Sequence, residues 1–128
     1  MKPQLNHTVV GAHDPVESAE FLAELLGFEA PVRLGHFVAV ETGNGVSLDF
    51  ARTDEVHPVH LAFLVTEREF DDAYGKIVAR GMDHWADPQQ RHPGEINTHD
   101  GGRGVYFLDP SGNYLEIITR PYGSGPVA

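Results

Sequence analysis

Cysteine is absent from the 128 residues, which removes disulfides, thiolate nucleophiles and cysteine-based zinc sites and leaves any metal to histidine and carboxylate donors. No apolar run approaches the roughly 18 to 20 residues of a membrane-spanning helix, and the opening Met1-Lys2-Pro3-Gln4-Leu5 lacks the apolar stretch of a signal peptide. A soluble, cytoplasmic protein with no membrane partner is the expectation. Basic residues are scarce, Lys+Arg totalling 9 against 19 Asp+Glu, for a formal charge of -10. No basic cluster offsets that field, so phosphate backbones are repelled and nucleic acid is not an expected partner. A metal or a cationic ligand suits the charge better, and eight histidines supply donors for one. Hydrophobic residues at 41% and charged residues at 22% are globular values, and the length is that of one domain.

What is present is a repeat. Leu5 to Gly11 reads as a strand, and Asp14-Pro15 then opens a helix, Asp as N-cap and Pro at the first position, that runs to Gly27. Val59 to Val65 is again strand-like, and a helix opened by Thr66 or Glu67 carries Phe70, Ala73, Tyr74, Ile77 and Val78 before Gly81. Each half continues with strand-like runs: 37 to 41 and 46 to 50 in the first, 104 to 108 and 114 to 119 in the second. Gly43-Asn44-Gly45 joins one pair and Pro110-Ser111-Gly112-Asn113 the other, both sequences that form tight reversals. His7 to Gly27 spans 20 residues and His60 to Gly81 spans 21, whereas the counts onward to the hairpin glycines are 38 and 52. The difference of 14 is an insertion, assigned to the polar stretch Asp87 to Asp100.

A strand, a helix and three strands, repeated, predict an α+β chain of two modules, about 4–52 and 58–120, within one domain. Neither half alone buries enough surface to be an independent fold. The two curved mixed sheets are expected to enclose a cleft. Alternation along strands predicts the cleft-facing residues: Val46, Leu48 and Phe50 are taken by the helix side, so Ser47 and Asp49 face the cleft. In the second half Leu115 and Ile117 take the helix side and Tyr114, Glu116 and Ile118 the other. Counting four residues on from each hairpin glycine makes Asp49 and Glu116 repeat equivalents, as His7 and His60 are. A strand histidine alone reads as a hydrogen-bonded core or rim residue and a strand glutamate alone as solvated. Their superposition, histidine on histidine and carboxylate on carboxylate, is what points to a divalent ion held by His7, His60 and Glu116. Val9, Ala62, Phe107 and Ile118 are expected as apolar neighbours of these donors.

The chain resembles the vicinal oxygen chelate superfamily, which includes glyoxalase I, fosfomycin-resistance enzymes, extradiol dioxygenases and bleomycin-resistance proteins. The likeness runs from LNHTVV at 5–10 to YFLDPSGNYLEI at 106–117. It implies paired βαβββ modules, assembly as a homodimer in which a site often takes ligands from two chains, and metal ligands at His7, His60 and Glu116. Asn97-Thr98-His99, five intervening residues, Val105-Tyr106, then Asp109-Pro110, Gly112 and Glu116 is similar to the extradiol ring-cleavage signature. That implies Tyr106 orienting a substrate oxygen with His99 assisting.

Two positions depart from the pattern. Those dioxygenases carry an acid-base histidine on the strand before the second ligand strand, where GVSLDF offers Val46, Ser47 and Asp49; His36 and His57 are the stand-ins elsewhere in the chain. Asp49 is also a methylene shorter than the glutamate ligand glyoxalase I carries in each module, which fits a water-mediated or general-base role better than direct ligation. The expectation is therefore a metal-dependent enzyme, an oxidoreductase of the extradiol-dioxygenase type, binding a small substrate through vicinal oxygens. Fe2+ is the expected ion, with Ni2+, Zn2+, Mn2+ or Co2+ open. The alternatives are a glyoxalase-I-like lyase, isomerase or epimerase, and a non-catalytic protein that sequesters a drug or metabolite.

Overall fold

The computed structural model describes residues 1–125, in which eight strands and two helices form two mixed four-stranded sheets, an α+β arrangement. The chain packs as two units: Met1–Val59 with Asp109–Gly112, and His60–Leu108 with the described residues from Asn113 on. Among the described residues no helix is long and apolar enough to cross a membrane.

In the first unit β1 (His7–Ala12) leads to α1 (Pro15–Leu26), then β2 (Val32–Leu34), β3 (Phe37–Glu41) and β4 (Ser47–Arg52). Asp14 caps α1 as its sequence predicts, its carboxylate accepting from the N–H groups of Val16 and Glu17, and Gly27 closes the helix. The sheet order is β1-β4-β3-β2. Leu22 and Leu25 of α1 and Val10, Val38, Val40, Leu48 and Phe50 of the sheet are buried, as alternation requires. Strand β2, with all three residues exposed, has no buried face to announce it in the sequence.

The second unit repeats the order with β5 (His60–Leu64), α2 (Glu67–Ala79), β6 (His84–Trp85), β7 (Gly104–Leu108) and β8 (Tyr114–Ile118), in sheet order β5-β8-β7-β6. Thr66 caps α2 with a capping box: its hydroxyl accepts from Glu69 N–H while the Glu69 carboxylate accepts from Thr66 N–H. Phe70, Ala73 and Ile77 of α2 and Val105, Phe107, Leu115 and Ile117 of the sheet form the buried set. Arg103, just before β7, is tied to α2 by Glu67 at 2.9 Å and Asp71 at 2.8 Å and lies 4.4 Å from the Phe70 ring centre. Tyr74 of α2 meets His84 Nε2 at 3.3 Å, so His84 lies on the helix face of this sheet and Trp85, its neighbour, on the opposite one.

The repeat found by counting is present in the strand register. β1 runs parallel to β4 with His7 opposite Ser47 and Val9 opposite Asp49. β5 runs parallel to β8 with His60 opposite Tyr114 and Ala62 opposite Glu116. Both hairpin glycines, Gly45 at φ 81° and Gly112 at φ 89°, occupy the left-handed region that lets each reversal close in so few residues. The inserted stretch is ordered: Asp87 accepts from the N–H groups of Arg91 and His92, Trp85 bridges to Pro93 and Asn97 to Gly104.

Replacing either cap by alanine, Asp14→Ala or Thr66→Ala, leaves helix N–H groups unpaired and is expected to lower stability by about 1 kcal/mol in urea unfolding. No change in midpoint at either position would contradict the capping assignment.

Candidate functional site

Alternation along β8 is decisive for what the second sheet presents. Leu115 and Ile117 are consumed by the α2 side, so Glu116 must point the other way. Tyr106 of β7 is its direct cross-strand partner, and Trp85 of β6 is in turn opposite Tyr106. Ala62, Glu116, Tyr106 and Trp85 therefore form one row across the sheet on the face away from α2, with Tyr114 and Ile118 flanking Glu116. Phe107, expected near the donors, is on the helix face and fully buried, because Tyr106 beside it takes the other face.

The Glu116 carboxylate is 0% exposed. His60 Nε2 donates to its Oε1 at 2.9 Å, and the hydroxyl of Tyr122, in the segment after β8, donates to its Oε2. Tyr106 in turn donates to the Tyr122 hydroxyl at 2.8 Å, and the His60 and Tyr106 rings lie 5.9 Å apart. Among the described residues no Lys or Arg forms an ion pair with Glu116; its nitrogen partner is His60, whose side chain is 51% exposed. Burial, and then the Glu116 carboxylate as hydrogen-bond acceptor, pushes the Tyr122 phenol well above the ordinary tyrosine value. Burial raises Tyr106 as well, the nearby carboxylate adding to it, so both phenols are protonated donors at neutral pH.

In the first unit His7 stands exposed at the start of β1, its Nδ1 donating to Asn6 Oδ1 at 2.8 Å. Asp49, half-buried on β4, accepts a 2.6 Å bond from Ser47 Oγ. His99 is exposed on a short 3-10 turn, His99–Gly101, its backbone N–H donating to Asn97, and it makes no hydrogen bond to Glu116. The residues brought together are thus His60, Glu116 and Tyr106, with Asp49 and His7 in the first unit and His99 on its exposed turn. Among the described residues no three His, Asp or Glu side chains gather as a ready metal cluster. Tyr122 joins the trio. Its signal in the sequence was a lone tyrosine in the tail Arg120-Pro121-Tyr122-Gly123, beyond the last strand, where neither alternation nor the repeat applies.

The family model described as Glyoxalase/Bleomycin resistance protein/Dioxygenase superfamily matches residues 4–117. Among solved structures, "Oxidase ChaP-H2" is 55% identical, covering 98% of this chain and 100% of its own, with a TM-score of 0.95. "Oxidase ChaP-H1" is 57% identical, covering 95% and 99%, with a TM-score of 0.92. "Glutathione transferase FosA" of Serratia marcescens is 28% identical over 91% of this chain and 81% of its own length.

A buried carboxylate contributes little to stability that an apolar side chain would not. Both of its hydrogen-bond donors are half-exposed and can reach water once it is removed. Glu116→Leu is therefore expected to unfold, in the metal-free state, at the wild-type urea midpoint or above it. A loss of several kcal/mol would contradict this and make Glu116 a structural residue.

Proposed function

Because the chain belongs to the glyoxalase/bleomycin resistance protein/dioxygenase superfamily, we propose that it is a metal-dependent oxidoreductase acting on a small substrate through two vicinal oxygens. The observation that carries the reading is the pairing of the sealed Glu116 carboxylate with a half-exposed imidazole, Oε1 to Nε2 at 2.9 Å. Neutral imidazole and carboxylate are the donors a borderline divalent ion takes, and an anion buried without Lys or Arg suits a cation between the two groups. The residues present therefore fit such an ion. His7, exposed at the start of β1, is the third donor, supplied by a second copy in a homodimer as the family resemblance implies. Bound there, Fe2+ would supply a Lewis-acidic centre with open positions for two substrate oxygens and dioxygen.

The chain's own side chains supply orientation and proton handling. Tyr106 stays protonated, and with its proton given to Tyr122 its oxygen is left to accept from, and so orient, a substrate hydroxyl beside Glu116. Asp49, held through one oxygen by Ser47, has its second oxygen to accept a proton from a substrate hydroxyl. Trp85, Tyr106 and Tyr114 on the face of Glu116 suit an aromatic or partly apolar substrate. His99, on an exposed turn, assists at the edge of the site. The oxidase reading, with extradiol-type ring cleavage as its most specific form, is favoured over a transferase one. The two proteins named oxidases are 55% and 57% identical to this chain, against 28% for the glutathione transferase.

Elemental analysis of protein purified anaerobically without chelators is expected to find stoichiometric iron, lost in His60→Ala and in His7→Ala. Stoichiometric nickel, zinc or manganese would redirect the reaction to isomerase or transferase chemistry, and no metal uptake at all would favour sequestration. Mixing His7→Ala with His60→Ala chains tests the shared site separately. Heterodimers hold one intact site if the ligands come from two chains, so metal binding is expected to return on mixing. If it does not, each site is built within one chain.

A further inference from the structure

The segment after β8 adds no strand to the sheet, yet it is held at several points. Arg120 Nη2 donates to the Ser124 carbonyl at 3.0 Å, Ser124 N–H to the Pro121 carbonyl at 3.1 Å, and Gly125 N–H to Asp100 Oδ1 at 3.2 Å. A Cβ at Gly125 would stand 2.4 Å from the Asp100 Cα, and one at Gly102 would stand 2.5 Å from Arg120 Cγ. Tail and turn can close on each other only because glycine occupies both positions. The clamp carries Tyr122 to the donor pair. Although 56% of Tyr122 is exposed, its hydroxyl reaches the fully buried Glu116, donating to Oε2 and accepting from Tyr106.

We propose that Tyr122 is a positioning residue for the metal-holding carboxylate: it occupies Oε2 and leaves Oε1, facing His60, as the single ligating oxygen. The proposal rests on the metal reading above. A carboxylate free to turn about its last bond can offer both oxygens to an ion and fill a further coordination position. A phenol fixed on one oxygen prevents that turn and reserves the position for substrate. It also sets the plane of the carboxylate before any ion arrives, which lowers the ordering needed on binding. Tyr106 bonds to Tyr122 and orients its hydroxyl, so the two phenols act in series, with Tyr122 in contact with the carboxylate.

The test uses Co2+ alone as probe, following its dissociation constant by calorimetry and its visible absorption spectrum, which reports coordination number and geometry. Tyr122→Phe, which leaves Oε2 without its donor, is expected to stay folded without metal at a modestly lower thermal midpoint, and to bind Co2+ about 10- to 100-fold more weakly and with an altered spectrum. Gly125→Val, which touches neither Tyr122 nor Glu116, is expected to shift both in the same direction by lifting the tail from Asp100. Wild-type affinity and spectrum in Tyr122→Phe, with Co2+ binding abolished in Glu116→Ala, would overturn the positioning role and leave the metal reading standing. Co2+ binding unchanged in Glu116→Ala would overturn both.

Discussion

A carboxylate sealed from solvent is tolerated only where other groups share its charge, and the second unit is organised around meeting that demand for Glu116. An isolated ion of this kind costs several kcal/mol to bury or else takes up a proton. Strand geometry creates the problem: α2 requires Leu115 and Ile117 on its side, and the residue between them is left on the other face. His60 on one neighbouring strand and Tyr122 on the tail then each bond one of its oxygens, and Tyr106 on the other neighbouring strand steadies Tyr122. The two oxygens are thereby made different, one directed to an imidazole and one to a phenol. That asymmetry is the property a directed metal ligand needs and a merely buried glutamate lacks.

The first unit shows the same plan with different side chains. His7 and Asp49 hold the positions of His60 and Glu116, two residues apart along paired parallel strands in both units. Asp49 is shorter by a methylene and is taken up by Ser47, which stands where the second unit has Tyr114. Ala39 faces Asp49 across the β3–β4 pairing where Tyr106 faces Glu116. The imidazole–carboxylate contact of the second unit thus has its counterpart in a serine–carboxylate contact in the first. His7 is left with Asn6 on one ring nitrogen.

Much of this was legible because it depends on periodicity and local chemistry. The alternation of β4 and β8, the Asp14-Pro15 cap and the glycine reversals are short-range signals, and they place both helices and six of the strands. Register followed from the repeat, since equal counts from the hairpin glycine put Asp49 and Glu116 on equivalent rungs. Strands β2 and β6 carried weaker signals, the first being wholly exposed and the second two residues long. The resemblance to the ring-cleavage signature located His99 by spacing, and the polar composition of the insertion around it reads as a solvent-exposed loop, which is where His99 lies. Tyr122 was hidden for a different reason. Its place is set by a clamp between a tail and a turn some 25 residues apart in the chain, held by one Gly125–Asp100 hydrogen bond and a close backbone approach. No local pattern encodes that.

The central claim is that one oxygen of Glu116 and the facing nitrogen of His60 hold a divalent ion while the other oxygen stays with Tyr122. The most direct measurement is anomalous X-ray diffraction at the metal edge from crystals loaded with iron or cobalt. The expected result is a single peak about 2 Å from both Glu116 Oε1 and His60 Nε2, with Tyr122 still bonded to Oε2. A peak remote from this pair, or one equidistant from both Glu116 oxygens with Tyr122 displaced, would contradict the account.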